Sequence, residues 1–282
     1  MSKPNPSARA RRPSSASAAV IGLLLGALSV GAPASAETVK AGPWRSLFDG
    51  KTLNGWTPKV AKHPAGDNYQ QTFVVDHGTI RVSYAGYGKL DGQFGHLFYK
   101  TPFKAYRLRL TYRFLPEGGL PDTPTWARSN SGIMFASQSP ESMTVEQPFP
   151  VSVEFQLLGK EGDAPRPTGA VCTPGTTITI DGAKVKEHCT QPTNAPTVPN
   201  GTWVKAELEV LPSGEVLQKV NGVVVHHYAD VTLDPEDTVA GGAKPYILAR
   251  GAQPVTEGYI ALQSEGHPIE FKDIEIQELT AR

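Results

Sequence analysis

Hydrophobic and polar residues alternate with a period of two over much of this chain, the pattern of strands with one buried face. In Val151-Ser152-Val153-Glu154-Phe155-Gln156-Leu157-Leu158, Val151, Val153, Phe155 and Leu157 point one way, and Ser152, Glu154, Gln156 and Leu158 the other. One face is apolar; the other carries a carboxyl group and an amide two residues apart. An outward Glu on an antiparallel strand is ordinary by itself, but the arrangement recurs. Tyr259, Ala261, Gln263 and Glu265 share a face opposite Ile260 and Leu262, and His267 follows at the next turn. The clearest alternation is Tyr106 to Phe114, with Tyr106, Leu108, Leu110, Tyr112 and Phe114 against Arg107, Arg109 and Arg113. That arginine row predicts a solvated sheet face rather than a binding row.

Further strands are predicted on either side of these. Thr72 to Val75 and Thr79 to Val82 flank Asp76-His77-Gly78, a hairpin signature, and Asn221-Gly222 turns a second hairpin within Glu215 to Tyr228. Trp44 to Trp56 reads as an edge strand and tight loop punctuated by Asp49-Gly50 and Asn54-Gly55. Ile133-Met134-Phe135, Trp203 to Leu211 and Ile269 to Ile276 complete the set, while Gly86 to Gly95 and Glu117 to Thr125 read as loops. The stretch from Gly159 to Pro199 reads as one long loop, and loops of that length in compact domains usually build a site. No segment holds a 3.6-residue apolar period. With 28 glycines and 25 prolines to supply turns, the expectation is an all-β antiparallel sandwich.

The N-terminus changes the count of usable residues. Arg9, Arg11 and Arg12 precede an apolar stretch from Ala18 to Val30 and the small-residue site Ala34-Ser35-Ala36, which reads as a signal peptide cleaved before Glu37. Its apolar run is shorter than the ~20 residues of a spanning helix. Residues 37–282 then form a single domain, periplasmic or secreted, with no membrane attachment after cleavage. The leader holds Lys3 and three arginines and no acid, so the balance of 27 basic and 27 acidic residues over the whole chain leaves the mature part mildly acidic. That argues against nucleic acid as a partner. In an oxidising compartment Cys172 and Cys189, the two cysteines present, predict a disulfide; two free thiols or a metal pair with His188 is the alternative.

A sheet face carrying carboxyl groups, amides, Tyr and Arg suits a carbohydrate, which offers paired hydroxyls and an apolar ring face. The stretch Leu47 to Trp56, Asn130-Ser131-Gly132, the block from Phe149 to Leu158, Cys172-Thr173-Pro174-Gly175, His188-Cys189 and the ending from Leu262 to Phe271 carry a family likeness. Together they resemble the bacterial family formerly called domain of unknown function 1080, now named for 3-keto-disaccharide hydrolases. The likeness covers essentially the whole mature chain. It implies a concanavalin A-like jelly roll and an enzyme acting on an oligosaccharide or glycoside oxidised at C3, working beside a sugar 3-oxidoreductase. A ketone at C3 acidifies the C2 proton, so a base removes it, the C1 substituent leaves, and water adds back. Expected roles are Glu154 or His267 as base, Glu265 as acid, and Gln156, Gln263, Asn130 and Arg128 as hydrogen-bonding partners. No dense metal-ligand motif is present, and no cofactor is expected. Two rivals stand beside this reading: a lectin-like module that only binds sugar, and an ordinary glycosidase using Glu154 and Glu265 as its carboxyl pair.

Overall fold

A computed structural model describes residues 39–282; the leader read from Met1 to Ala36 lies outside the described residues. In chain order the first strands are β1 (Val39–Ser46), β2 (Trp56–Val60), β3 (Phe73–Asp76), β4 (Thr79–Val82), β5 (Gly95–Tyr99) and β6 (Tyr106–Phe114). The middle of the chain gives β7 (Asn130–Ser137), β8 (Val153–Leu158), β9 (Val171–Cys172), β10 (Thr176–Ile180), β11 (Ala183–Lys184) and β12 (Cys189–Thr190). The last are β13 (Val204–Val210), β14 (Val216–Val220), β15 (Val223–Leu233), β16 (Tyr259–Ser264) and β17 (Ile269–Ala281). Helical structure among the described residues is confined to short 3-10 turns and one five-residue helix, α1 (Lys244–Leu248).

The strands form two antiparallel sheets. A ten-stranded sheet runs β11-β10-β15-β14-β13-β6-β17-β4-β3, with β1 added against β17, and a seven-stranded sheet runs β12-β9-β8-β7-β16-β5-β2. The alternating residues fill the space between them: Ile133, Phe135, Val153, Phe155, Leu157, Ile260 and Leu262 from one sheet meet Leu108, Leu110, Tyr112, Phe114, Leu208 and Phe271 from the other. This is the expected jelly-roll sandwich.

The two hairpins form at the expected dipeptides. His77 and Gly78 have φ of 46° and 80°, and Asn221 and Gly222 have φ of 49° and 82°, so both loops put two residues in the left-handed region. That matches the right-handed twist of the strands they join. The arginine row is a solvated, ion-paired face: Arg107 meets Glu209, Arg109 meets Glu275 and Arg113 meets Glu270, each at 2.7 Å.

Three parts of the sheets go beyond the expected strands. The stretch read as a long loop holds the short strands β9 to β12. Three of these are only two residues long, too short to show alternation, and they are fixed by pairing across the sheet. Strand β5 gave no signal because all five of its residues are buried, so it lacks a polar face. Strand β2 contains Pro58, which is tolerated because β2 is an edge strand.

The disulfide forms between Cys172 and Cys189, which pair directly across β9 and β12. His188 lies within reach of both sulfurs, but the sulfurs are bonded to each other and offer no thiolate to a metal. Cys172 also pairs with Glu154 on β8, so the cross-link closes the margin of the sheet beside that carboxyl group. Because it closes a loop of sequence separation 17, reduction is expected to cost about 3 kcal/mol. Urea unfolding with and without reductant, and of the Cys172→Ala/Cys189→Ala variant, measures this as a lower midpoint.

Candidate active site

The outer face of the seven-stranded sheet collects polar residues that the strand register places in rows. Glu154 pairs with Met134 on β7, and Gln156 pairs with Gly132. On the other side of β7, Ala261 and Leu262 of β16 pair with Met134 and Ile133, and Gln263 pairs onward with His96 of β5, which pairs with Lys59 of β2. One row therefore runs Lys59, His96, Gln263, Gly132, Gln156. Half of this face is roofed. Phe98, Met134, Ala261 and Met143 pack together there, Met143 being supplied by the segment between β7 and β8. That segment is tied down by Gln138, whose Oε1 accepts from Val151 N (2.8 Å) and Gln147 Nε2 (2.9 Å), and by Lys59 Nζ, which donates to Val145 O at 3.1 Å.

Glu154 reaches across β7 instead of standing off the sheet. A Cβ on Gly132 would lie 2.6 Å from Glu154 Cγ and 2.8 Å from its Cδ, so the carboxyl group occupies the space that any other residue would fill. Glu265 continues the parity of Ala261 and Gln263 just past the end of β16. Its turn is fixed by Tyr84, whose phenol bonds Ser264 Oγ at 2.7 Å and accepts from Gly266 N at 2.6 Å. Both carboxyl groups are buried. Among the described residues Glu154 Oε1 and Glu265 Oε2 have no hydrogen-bond partner, nor does either end of the Gln263 amide, Asn130 Oδ1 or either ring nitrogen of His96. Such a concentration of buried, unpaired polar atoms on one sheet face marks it as a candidate ligand site.

The electrostatics follow from burial. Desolvation raises Glu154 to about 8. Glu265 is raised well above the ordinary carboxyl range, first by desolvation and then by the charge of Glu154, with Arg166 acting the other way. The two therefore titrate as a coupled pair, which holds one proton well above the ordinary carboxyl range. His96 is lowered to about 3 by burial and by the nearby Lys59, so it is a neutral imidazole at physiological pH. Lys59 is itself lowered to about 8 by burial.

The structure brings together Glu154, Glu265, Gln156, Gln263 and Asn130 of the residues expected from sequence. Gln156 is half-buried and makes no side-chain hydrogen bond among the described residues, while Asn130 Nδ2 donates to Trp126 O at 3.1 Å. Arg128 is exposed between Trp126 and Asn130 and forms no ion pair among the described residues. His267 is placed differently. Its ring stands edge-on to the core residue Phe114, its Nε2 bonds Leu115 O at 2.9 Å, and its Nδ1 faces Ser129 Oγ at 3.4 Å. With both nitrogens occupied and the ring turned toward the core, it braces the turn after Glu265 and is poorly placed to act as a base.

Sequence reasoning missed His96, Lys59, Arg166 and the aromatic residues around them. Phe149 stacks on Phe94 at 5.2 Å and meets His96 edge-on at 6.1 Å, and Phe94 touches Trp126 at 5.5 Å. Arg166 Nη1 donates to the carbonyls of Ser129 and Gly159, each at 2.9 Å. The parity of His96 with Phe98 was the signal available for the histidine; Arg166 lies in a loop and had none. A cleft of about 620 Å³ lies where β7 ends and β16 begins and is lined mostly by apolar residues such as Phe103, Phe135, Val210 and Val231. Its two carboxyl groups, Asp230 and Glu257, are exposed, unlike the buried pair on the outer face, to which the chemistry is assigned.

Residues 43–277 match the family model described as a 3-keto-alpha-glucoside-1,2-lyase-like domain. A Bacteroides thetaiotaomicron protein named 3-keto-disaccharide hydrolase is 25% identical over 256 residues, covering 86% of this chain and 80% of that one. A crystal structure from Parabacteroides distasonis, whose name carries an unproven glycosyl hydrolase assignment, superposes with a TM-score of 0.51 at 17% identity, covering 84% of this chain and 94% of that one. It shares the fold.

The raised carboxyl groups have a consequence for stability. An unfolded Glu154 titrates near its ordinary 4.5, whereas the native one holds its proton to about 8. Its contribution is full below the unfolded value and is lost as pH rises through that window, by about 1.4 kcal/mol per pH unit. The Glu154→Gln variant, which cannot ionise, is expected to gain stability over the parent progressively from pH 5 to pH 8. Paired denaturant titrations at several pH values measure the difference, which also cancels the opposing titration of His96.

Proposed function

Because the chain belongs to the 3-keto-alpha-glucoside-1,2-lyase-like domain family, we propose that it is a hydrolase-type enzyme that cleaves 3-keto-glycosides by elimination and hydration. The observation that carries this reading is the buried pair Glu154 and Glu265, which flank β7 with unpaired oxygens and raised, mutually coupled proton affinities. The name of the Bacteroides thetaiotaomicron relative supports the same substrate class.

In this mechanism the ionised Glu154 takes the proton from C2, and the C2–H electrons pass toward the C3 carbonyl as an enolate. Collapse of the enolate restores the ketone, forms the C1–C2 double bond and breaks the bond from C1 to the leaving oxygen. Glu265, still protonated, gives that oxygen its proton. Water then adds its hydroxyl to C1 and a proton to C2, with the two carboxyl groups exchanging roles. The sum is one glycoside and one water giving a 3-keto sugar and an alcohol, with no net oxidation. Gln263, Gln156 and Asn130 supply amide groups for the sugar hydroxyls and the developing enolate oxygen. His96 adds a neutral donor on the same row, a suitable partner for an oxyanion that must not be permanently protonated. Two expectations from the sequence belong to this proposal: export to the periplasm or beyond, and supply of the ketone by a sugar 3-oxidoreductase.

Product analysis of the purified mature protein on a 3-keto-disaccharide and on its unoxidised parent, with and without chelator, tests the reading. Cleavage of the keto sugar alone is expected. Cleavage of the unoxidised sugar would establish ordinary glycosidase action, and binding of either sugar with no product would leave a lectin-like module. Glu154→Gln and Glu265→Gln should each lower kcat at least ~100-fold. The parent's kcat/KM should rise with pH as Glu154 ionises, and fall again only when Glu265 loses its proton.

A further inference from the structure

The chain has four tryptophans, and three are committed to the scaffold. Trp56 is buried and its Nε1 donates to Leu47 O at 2.9 Å. Trp44 lies under the Arg109 guanidinium at 4.1 Å, and Trp203 takes Arg113 at 4.5 Å and Lys272 at 4.3 Å. Trp126 is different. It is 53% exposed, and Phe94 at 5.5 Å is its ring partner among the described residues.

A single exposed apolar side chain needs no explanation. Trp126 is not isolated, because its ring continues the stack of Phe94 and Phe149 that leads to His96. Its backbone is tied to the same site: the Trp126 carbonyl accepts from Asn130 Nδ2 at 3.1 Å and from Arg166 Nη2 at 3.3 Å. Its position along the sheet is also defined. Ser264 pairs with Gly95, so Glu265 and Phe94 are the next residues out from the last pair of the two strands. The aromatic surface therefore lies on the side of Glu265 rather than of Glu154.

That position has a chemical meaning if the proposed function holds, since Glu265 there protonates the oxygen leaving C1. The departing group must lie on the Glu265 side, and the exposed ring there is an indole. Indole faces suit the apolar faces of pyranose rings and other aromatic rings alike.

We infer that Trp126, backed by Phe94, is the platform of a leaving-group subsite, so that the preferred substrate is a 3-keto-glycoside whose aglycone is itself a pyranose or an aromatic ring. The inference rests on the proposed chemistry for its direction: the ring under Trp126 is the one released, and the oxidised ring lies toward Glu154.

The test compares methyl 3-keto-glucoside with a 3-keto-disaccharide and an aryl 3-keto-glucoside, using the parent, Trp126→Ala and Trp126→Phe. Trp126→Ala should lower kcat/KM for the two ring-bearing substrates on the order of tenfold more than for the methyl glycoside. Trp126→Phe should restore most of that difference, and circular dichroism checks that the variants fold. Equal losses on all three substrates, or none, would overturn the platform while leaving the chemistry intact. A parent that turns over none of them refutes the keto-glycoside reading instead. In that case calorimetric affinity for the unoxidised disaccharide against its methyl glycoside decides the subsite, which is supported if Trp126→Ala removes the preference and overturned if it does not.

Discussion

Glu154 lies over β7 only because residue 132 has no side chain. A Cβ there would overlap the carboxyl group, so a single glycine turns an outward-pointing strand residue into one folded down upon the sheet. The contact shields Glu154 from water, and burial without a hydrogen-bond partner holds its proton on well past the usual carboxyl range. Glu265 arrives from the other side of the same strand, held by the Tyr84 phenol at the turn. Everything proposed for the chemistry depends on that close approach.

Two carboxyl groups in a dry site do not ionise together, so over a range of pH one serves as base while the other keeps its proton as acid. Burial acts on both, and the repulsion between their charges acts on both alike. The rest of the face is consistent with this division. His96 is neutral, the amides are neutral, and the main cation close to the pair, Arg166, spends its donors on the carbonyls of Trp126, Ser129 and Gly159. An ion pair that clamped either carboxylate would have lowered its pKa and removed the proton that the reaction needs.

The scaffold around this face is conventional, and its stability comes from elsewhere. The cross-sheet core of β6, β7, β8, β16 and β17 fixes the register, and the disulfide closes the margin beside Glu154. Polar atoms left unpaired on the outer face cost stability that this core must offset. The ion pairs of the opposite sheet, such as Arg113 with Glu270, are structural by contrast, with each charge answered by a neighbour in register.

The alternation of Tyr106 to Phe114, Val151 to Leu158 and Tyr259 to Glu265 determined from sequence alone which side chains face the core, because in a strand parity is strict. The Asn-Gly and His-Gly turns were equally local, since left-handed backbone is a property of two residues. Family motifs from Leu47 to Phe271 pointed to the same sandwich and to sugar chemistry. Parity could not say which strands are neighbours. That Glu154 and Glu265 flank the same strand, that Gly132 leaves the space Glu154 fills, and that His96 joins the row of Gln263 and Gln156 are facts of register between segments up to about 170 residues apart. The direction of His267 was also outside its reach: a turn residue can face either the site or the core, and packing against Phe114 with a hydrogen bond to Leu115 chose the core. Local pattern settled the faces, and only tertiary packing settled which groups on those faces meet.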